Sequence, residues 1–184
     1  MRAILRGVFC LFFGISSAVL AQDAVLKPFV LGSKGPGEVA AKADVVKAAL
    51  TQNGFTVAGT YTPYPSATII IVTNDEMRTI AAKSEHGGFG AAQRVSVTKV
   101  GNDVQVAYTN PAYMANAYRM AGDLRDTAAK LQAALGKVEE YGAKGLTAEK
   151  LRKYHYTFGM EYFDEPNEFV KYASYEDAIK AVEA

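Results

Sequence analysis

The chain has 184 residues, 49% of them hydrophobic, and its 20 Lys and Arg nearly balance its 19 Asp and Glu. This composition is that of an ordinary folded chain, and the length suits one domain with an appendage. A formal net charge of +1 does not favour electrostatic capture of nucleic acid or of an anionic membrane surface.

The first 21 residues have the layout of a cleavable secretory signal peptide. Two arginines give a positive start, residues 7–19 are apolar, and small residues end the run at Ala21. We predict cleavage between Ala21 and Gln22 and export to the periplasm or beyond. A membrane-spanning helix is the alternative, but the run is shorter than the roughly 20 apolar residues that a span needs. We therefore predict no membrane span after cleavage.

Cleavage at this point would remove Cys10, the single cysteine of the chain, together with the two arginines. The remaining chain would hold 18 basic and 19 acidic residues and would have no disulfide, thiol nucleophile or thiolate metal ligand. Its stability would have to come from a hydrophobic core, which a chain of this size can supply.

The first part of the predicted mature chain alternates strand and helix signals. Lys27 to Leu31 predicts a short strand, and the glycines and proline of residues 32–37 predict a turn. Apolar residues at helical spacing predict a helix over 39–50. Asn53 and Gly54 are typical of its C-terminal cap.

Two further strands follow this helix. Alternating residues predict a half-buried strand over 55–61, and two prolines within 62–66 predict a turn. The β-branched run of residues 67–72 predicts a strand that is buried on both faces.

A helix and a glycine-rich loop come next. Thr73 or Asn74 is expected to cap a helix that runs to about Ser84. The glycines of residues 87–90 follow a helix and precede a strand, whereas phosphate-binding loops precede a helix. We therefore predict a plain connection there.

Residues 94–100 and 103–109 predict two strands of a hairpin, joined by the turn dipeptide Gly101-Asn102. Asn110 and Pro111 are then the cap and first residue of a helix that is predicted to reach Leu135. Gly122 is the weak point of this long helix.

The last part of the chain has a different composition. Residues 137–145 are polar, and Thr147 caps a predicted helix over 148–158. Residues 161–169 are aromatic and acidic, and a capping box at Ser174 begins a final helix over 175–182.

These elements predict an α+β fold with two layers. A five-stranded mixed or antiparallel sheet would be packed by helices, and a helical tail would follow it. We expect residues 22–136 to form the α/β domain and residues 137–184 to form a C-terminal helical extension packed on it.

Three features between Phe29 and Met120 resemble the domain-of-unknown-function 302 family, a small bacterial α/β domain. They are the opening strand with its glycine turn and the helix that ends at Asn53-Gly54-Phe55, the hairpin over 93–108, and the Asn110-Pro111-Ala112 junction. With the predicted signal peptide, the chain would be an exported member of that family, and the resemblance implies a dimer-forming module. Thr109 stands where the family often has a cysteine, so no thiol chemistry is implied.

Two histidines are the candidate catalytic or metal-ligating residues of the predicted mature chain. His86 lies at a predicted helix end beside the glycine loop, and neutral imidazole suits both a metal and a general base. The alternative is a capping histidine that faces solvent. His155 lies in the most unusual local composition of the chain, and the two rings would form a metal site only if they converge.

Around His155 the sequence is rich in aromatic residues: Tyr154 and Tyr156 flank it, and Met160 and Tyr162 follow. One interpretation is an aromatic ligand-binding pocket, which with Met160 as a second ligand would even suit haem or copper. The other is that these rings pack the tail onto the domain. We predict no cofactor, because no metal or haem motif supports one.

Two functions therefore stay open at the level of sequence. The favoured one is a non-catalytic exported module that binds a small ligand or an envelope protein, with a homodimer as its expected assembly. Abundant tyrosine without a catalytic motif supports it, since tyrosine suits recognition surfaces. The alternative is a small metal-dependent or redox enzyme, or a metal-binding protein, centred on His86 or His155.

Overall fold

The computed structural model describes residues 24–160 and 168–184, so the predicted cleavage site at Ala21 and Gln22 lies outside the described residues. The described residues form an α+β fold of eight strands and six α-helices, as predicted in class. The strands are β1 (Val25–Leu26), β2 (Phe29–Pro36), β3 (Thr56–Tyr64), β4 (Ala67–Thr73), β5 (Gln93–Val100), β6 (Asp103–Thr109), β7 (Glu139–Tyr141) and β8 (Leu146–Thr147). The helices are α1 (Val39–Gln52), α2 (Asp75–Ala81), α3 (Pro111–Ala117), α4 (Arg125–Leu135), α5 (Ala148–Arg152) and α6 (Tyr175–Glu183), with a 3-10 turn over Gly87–Gly90.

The main sheet has six strands in the order β3-β4-β5-β6-β2-β7, and every neighbouring pair is antiparallel. Strands β1 and β8 form a separate antiparallel pair. The prediction of five strands missed β7, which is only three residues long and carries two glutamates. Within the described residues, no helix has the length and apolar character needed to cross a membrane.

One face of the sheet carries the hydrophobic core. Val95 and Val97 of β5 are fully buried there, together with Leu50 of α1 and Leu131 of α4. Burying a side chain of this size contributes about 1.5–3 kcal/mol. Cross-strand partners place Ile70 and Tyr108 on the same face as Val95, so the core runs across the central strands.

The opposite face of the sheet, which we call the open face, is less covered. Leu31, Ala107, Ser96 and Ile69 form one cross-strand row on it, and Ser96 and Ile69 are half-buried. The prediction that residues 67–72 are buried on both faces is therefore wrong. Ile70 and Val72, which face the core, are the completely enclosed residues of β4.

Several predicted boundaries are confirmed because their signals are local. Helix α1 begins at Val39, and the Asn74 side chain caps α2 by accepting from the Met77 amide at 2.9 Å. The hairpin turns at Gly101, which has a φ of 60°. Ser174 caps α6 as predicted, accepting from the Asp177 amide at 3.1 Å.

The predicted turn at residues 32–37 is wrong, because β2 continues through it to Pro36. The pairing of β2 with β6 shifts register between Leu31 and Ser33, so Gly32 sits in a bulge. A Cβ at Gly32 would lie 2.7 Å from the Leu135 carbonyl oxygen, and a Cβ at Gly136 would lie 2.6 Å from the Gly32 carbonyl oxygen. This glycine marks a close approach of two backbones rather than a turn.

The predicted long helix after Asn110 is also wrong, because it is divided into α3 and α4. Between them, Arg119 and Leu124 adopt left-handed φ values of 52° and 53°. Met120 and Leu124, which lie between the two helices, are both buried in the core. Gly122 allows the chain to pass Ile80, whose side chain would lie 2.6 Å from a Cβ there.

Residues 148–158 also form less helix than predicted, since α5 ends at Arg152. The Arg152 guanidinium donates from Nε to Asn116 Oδ1 at 2.9 Å and from Nη2 to the Met120 carbonyl oxygen at 2.6 Å. Arg119 Nε donates in return to the Arg152 carbonyl oxygen at 3.0 Å. These bonds satisfy backbone and amide groups at the helix break and attach α5 to it.

The buried side chain of Asn110 joins three parts of the chain where β6 meets α3. Its Oδ1 accepts from the Ala112 amide at 3.2 Å, as predicted for an N-cap. Its Nδ2 donates to the Lys27 carbonyl oxygen at 2.9 Å and to Glu140 Oε2 at 3.1 Å. The start of α3 is thereby tied to the chain before β2 and to β7.

Replacing Asn110 by alanine should lower the free energy of unfolding by about 2 kcal/mol, since a helix cap and two further hydrogen bonds are lost. Urea unfolding followed by circular dichroism measures the change. Gln132→Ala, at an exposed position of α4, is the matched control and should change little. Equal stability of the two variants would contradict the role of Asn110.

Candidate functional site

A cavity of about 480 Å³ lies between α3, α5 and the segment that leads into β8. Four of its lining residues are tyrosines, and the rest are small or apolar. The lining residues are Tyr113, Met114, Ala117, Tyr118, Ala143, Gly145, Leu146, Leu151, Tyr154 and Tyr156. We call this space the tyrosine cavity.

Helix α3 forms one wall of the tyrosine cavity. Tyr113, Met114 and Ala117 face it from successive turns, because residues three or four apart lie on one side of a helix. Tyr118 continues this wall just after the helix ends. The opposite wall comes from α5, whose Leu151 is buried.

The two walls are held in place by the contacts already described. The Arg152 guanidinium joins α5 to the end of α3, and the Asn110 amide joins the start of α3 to β7. Strand β7 in turn leads into residues 142–145, which close the cavity beside β8. The cavity is therefore built by tertiary contacts at both ends of one short helix.

Tyr113 is partly buried among the other three phenol groups of the cavity. Burial raises the pKa of Tyr113 above 10.0, and Tyr154, Tyr118 and Tyr156 raise it further, in that order, because their phenolates would repel its own. The rings of Tyr154 and Tyr156 meet edge to face with centroids 5.8 Å apart. Tyr113 therefore keeps its proton, and hence its capacity to donate, to higher pH than a free tyrosine.

Outside the cavity, the aromatic surface continues from Tyr118. Its ring stacks on Phe89 with centroids 5.6 Å apart, and Phe89 lies 6.5 Å from the ring of His86. His86 precedes the 3-10 turn, where Gly87 and Gly90 are buried against Ala81 and the Met120 side chain. The loop predicted to be a plain connection is therefore a packed turn.

The predicted pocket residues are divided by the structure. Tyr154 and Tyr156 line the tyrosine cavity. His155 lines an adjoining depression, which shares Leu146 and Tyr154 with the cavity, but His155 itself is not one of the residues that line the cavity. Met160 is exposed and is not among the lining residues of the cavity. Tyr162 lies outside the described residues.

The predicted metal site at His86 and His155 is not tested by this arrangement and stays a prediction. Across residues 24–160 and 168–184, no three His, Cys, Asp or Glu side chains form a group suited to holding a metal ion. His155 lies near Lys153, which pairs with Glu149 at 2.7 Å.

Sequence reasoning identified only two of the ten lining residues and missed the whole α3 wall of the cavity. Tyr113, Met114, Ala117 and Tyr118 lie in a segment interpreted as one long amphipathic helix, where aromatic residues at helical spacing usually indicate core packing. A signal was present in the sequence. Tyr113 and Ala117 are four residues apart, as are Met114 and Tyr118, so these pairs widen the apolar face of the helix beyond what packing on the sheet requires.

No protein-family model matches the chain, and no curated protein shows significant similarity to it. The resemblance to the domain-of-unknown-function 302 family therefore stays a prediction. Any assignment of function has to come from the geometry of the chain itself.

The tyrosine cluster predicts a measurable coupling between phenol groups. In Tyr154→Phe, and in Tyr156→Phe, the pKa of Tyr113 should fall towards its ordinary value because one neighbouring phenolate is removed. Nuclear magnetic resonance of ring-labelled tyrosine during a pH titration measures this.

Tyr64→Phe, at an exposed position on β3, is the matched control and should leave the Tyr113 titration unchanged. An identical Tyr113 pKa in the control and in both cavity variants would show that the phenols are not close.

Proposed function

We propose that this protein is an exported, non-catalytic binding module that holds a small, mostly apolar ligand in the tyrosine cavity. The observation that carries this proposal is the lining itself, with aliphatic and small residues as walls and phenol hydroxyls as the polar groups. Ligand sites in proteins are typically concave and mostly apolar, with a few polar groups that orient the ligand.

The size and chemistry of the cavity support a particular class of ligand. A volume of about 480 Å³ falls within the range of roughly 300–1,000 Å³ typical of small-molecule sites. The phenols of Tyr113, Tyr118, Tyr154 and Tyr156 offer ring faces and edges as well as hydroxyl groups. An uncharged ring compound with one or two hydrogen-bonding groups fits this lining.

A non-catalytic role is supported by the residues that are available. The cavity lining has no histidine, carboxylate, lysine or thiol, which are the usual general bases and nucleophiles. Tyr113 is held neutral rather than activated, since its pKa is raised by burial and by the neighbouring phenols. These groups suit recognition by contact and hydrogen bonding.

Binding can be tested with the neutral fluorophore N-phenyl-1-naphthylamine as a probe. Ala117→Trp should weaken its binding about tenfold or more, because the indole would occupy the cavity and exclude the ring. The readout is the fluorescence of the probe during titration. A competing natural ligand can then be sought by displacement of the probe.

The matched control is Ala133→Trp, which places the same indole at an exposed position of α4. It should bind the probe as the unchanged protein does. If both variants bind equally well while remaining folded, or if the unchanged protein does not bind the probe, the cavity is not a ligand site.

Export with removal of the signal peptide can be tested by the mass of the purified protein. Native mass spectrometry of the protein from the exported fraction should give a chain that begins at Gln22. A mass that retains residues 1–21 would contradict cleavage. A stoichiometric metal in the same spectrum would instead favour the alternative function at His86 or His155, and would overturn the metal-free proposal.

A further inference from the structure

The open face of the sheet forms a shallow trough of about 300 Å³. Its floor is made of small or half-buried residues, among them Ser96, Ala107 and Ile69. Phe29 and Tyr141 stand together at one side with ring centroids 5.8 Å apart, and Tyr61 stands at the other side on β3. Small residues between aromatic walls leave room for a ridge of larger side chains.

A positive charge lies within this trough. Arg94 of β5 lines it and is exposed, and among the described residues its side chain makes no ion pair or hydrogen bond. Such a guanidinium in a largely apolar setting is suited to an acidic partner. A covering surface should therefore be apolar and carry a carboxylate at one border.

Helix α6 has these two properties. Tyr175, Ala178, Ile179 and Val182 recur at the spacing of one helical face, although none of the helix residues is buried. Tyr175 is 75% exposed and Val182 is 82% exposed. An unburied apolar stripe of this kind marks an interaction surface, because folded chains rarely leave one in water.

Acidic residues border the stripe on one side. Glu176 and Glu183 are seven residues apart, so both lie along the same edge of the helix, next to Tyr175 and Ile179. Asp177 and Lys180 project away from the stripe. The helix thus presents an apolar ridge with a carboxylate border.

We propose that two copies of this chain form a dimer in which α6 of each copy lies in the trough of the other copy's open face. The dimensions agree, since nine helical residues span about 14 Å and three neighbouring strands cover about 14 Å. Ile179 and Tyr175 fill the space above Ser96 and Ala107, and Glu176 or Glu183 pairs with Arg94. In its own chain α6 remains uncovered, so the second copy supplies the missing contact.

The symmetry of this arrangement increases its contact area. A two-fold axis repeats the α6 contact, so that each copy both gives a helix and receives one. The two equivalent contacts bury twice the area that one helix in one trough would bury. The trough and the tyrosine cavity have no lining residue in common, so this assembly is independent of the proposed ligand binding.

Disulfide trapping between differently tagged copies of the full chain tests which molecule provides the helix. Both copies carry Cys10→Ser, one carries Ile179→Cys and the other carries Ser96→Cys. Mild oxidation of the mixture should give the mixed covalent pair in high yield. Ala133→Cys in place of Ser96→Cys is the control, and it should give little of this pair.

Two outcomes of the trapping experiment would overturn the proposal. One is a mixed pair no more abundant than in the control. The other uses a double variant that carries both Ile179→Cys and Ser96→Cys in one chain. If this variant forms only an intrachain disulfide, in monomers, then α6 lies on its own sheet.

Sedimentation equilibrium tests the charge pair without cysteines. Arg94→Glu should raise the dimer dissociation constant about tenfold or more, because a carboxylate would then face carboxylates. Adding Glu176→Arg and Glu183→Arg to that variant should restore dimerisation, which separates the charge effect from misfolding.

Lys130→Glu, at an exposed position of α4, is the matched control for the change of charge and should leave the dimer intact. An unchanged protein that stays monomeric at every concentration, or a dimer that Arg94→Glu does not weaken, would contradict the assembly.

Discussion

The hydrogen bonds of the buried Asn110 amide determine how the second half of the chain is attached to the first. One short side chain caps α3, holds the backbone before β2 and contacts Glu140 of β7. If this amide were absent, α3 would lose its side-chain cap, and β7 would keep its pairing with β2 but lose its contact with the start of α3. Both walls of the tyrosine cavity are attached through these elements, so the cavity depends on a polar contact several residues away from it.

Much of the fold could be predicted because the corresponding signals are local. The Gly101-Asn102 hairpin, the Asn74 cap and the Ser174 cap each depend on a few adjacent residues, and all are confirmed. The break between α3 and α4 could not be predicted in this way. It is stabilised by burial of Met120 and Leu124 and by hydrogen bonds from Arg152, which is about 30 residues further along the chain.

The candidate site shows the same division between local composition and tertiary contact. The unusual sequence around His155 drew attention to Tyr154 and Tyr156, which do line the cavity, while His155 lies in a neighbouring depression. The α3 wall was not predicted, because the chain brings residues 113–118 against residues 146–156 through the helix break and β7. A pattern within one segment carries no information about which distant segment will face it.

The contact between Gly32 and Gly136 limits how this chain can change during evolution. At each position a new Cβ would meet backbone oxygen atoms, those of Leu135 and Gly136 in one case and that of Gly32 in the other. A smaller neighbouring side chain cannot relieve a clash with backbone atoms. A second substitution elsewhere in the chain would therefore not compensate for the loss of either glycine. Related sequences that keep this crossing of β2 over the end of α4 should therefore retain both glycines together, even where most of the surrounding residues have diverged.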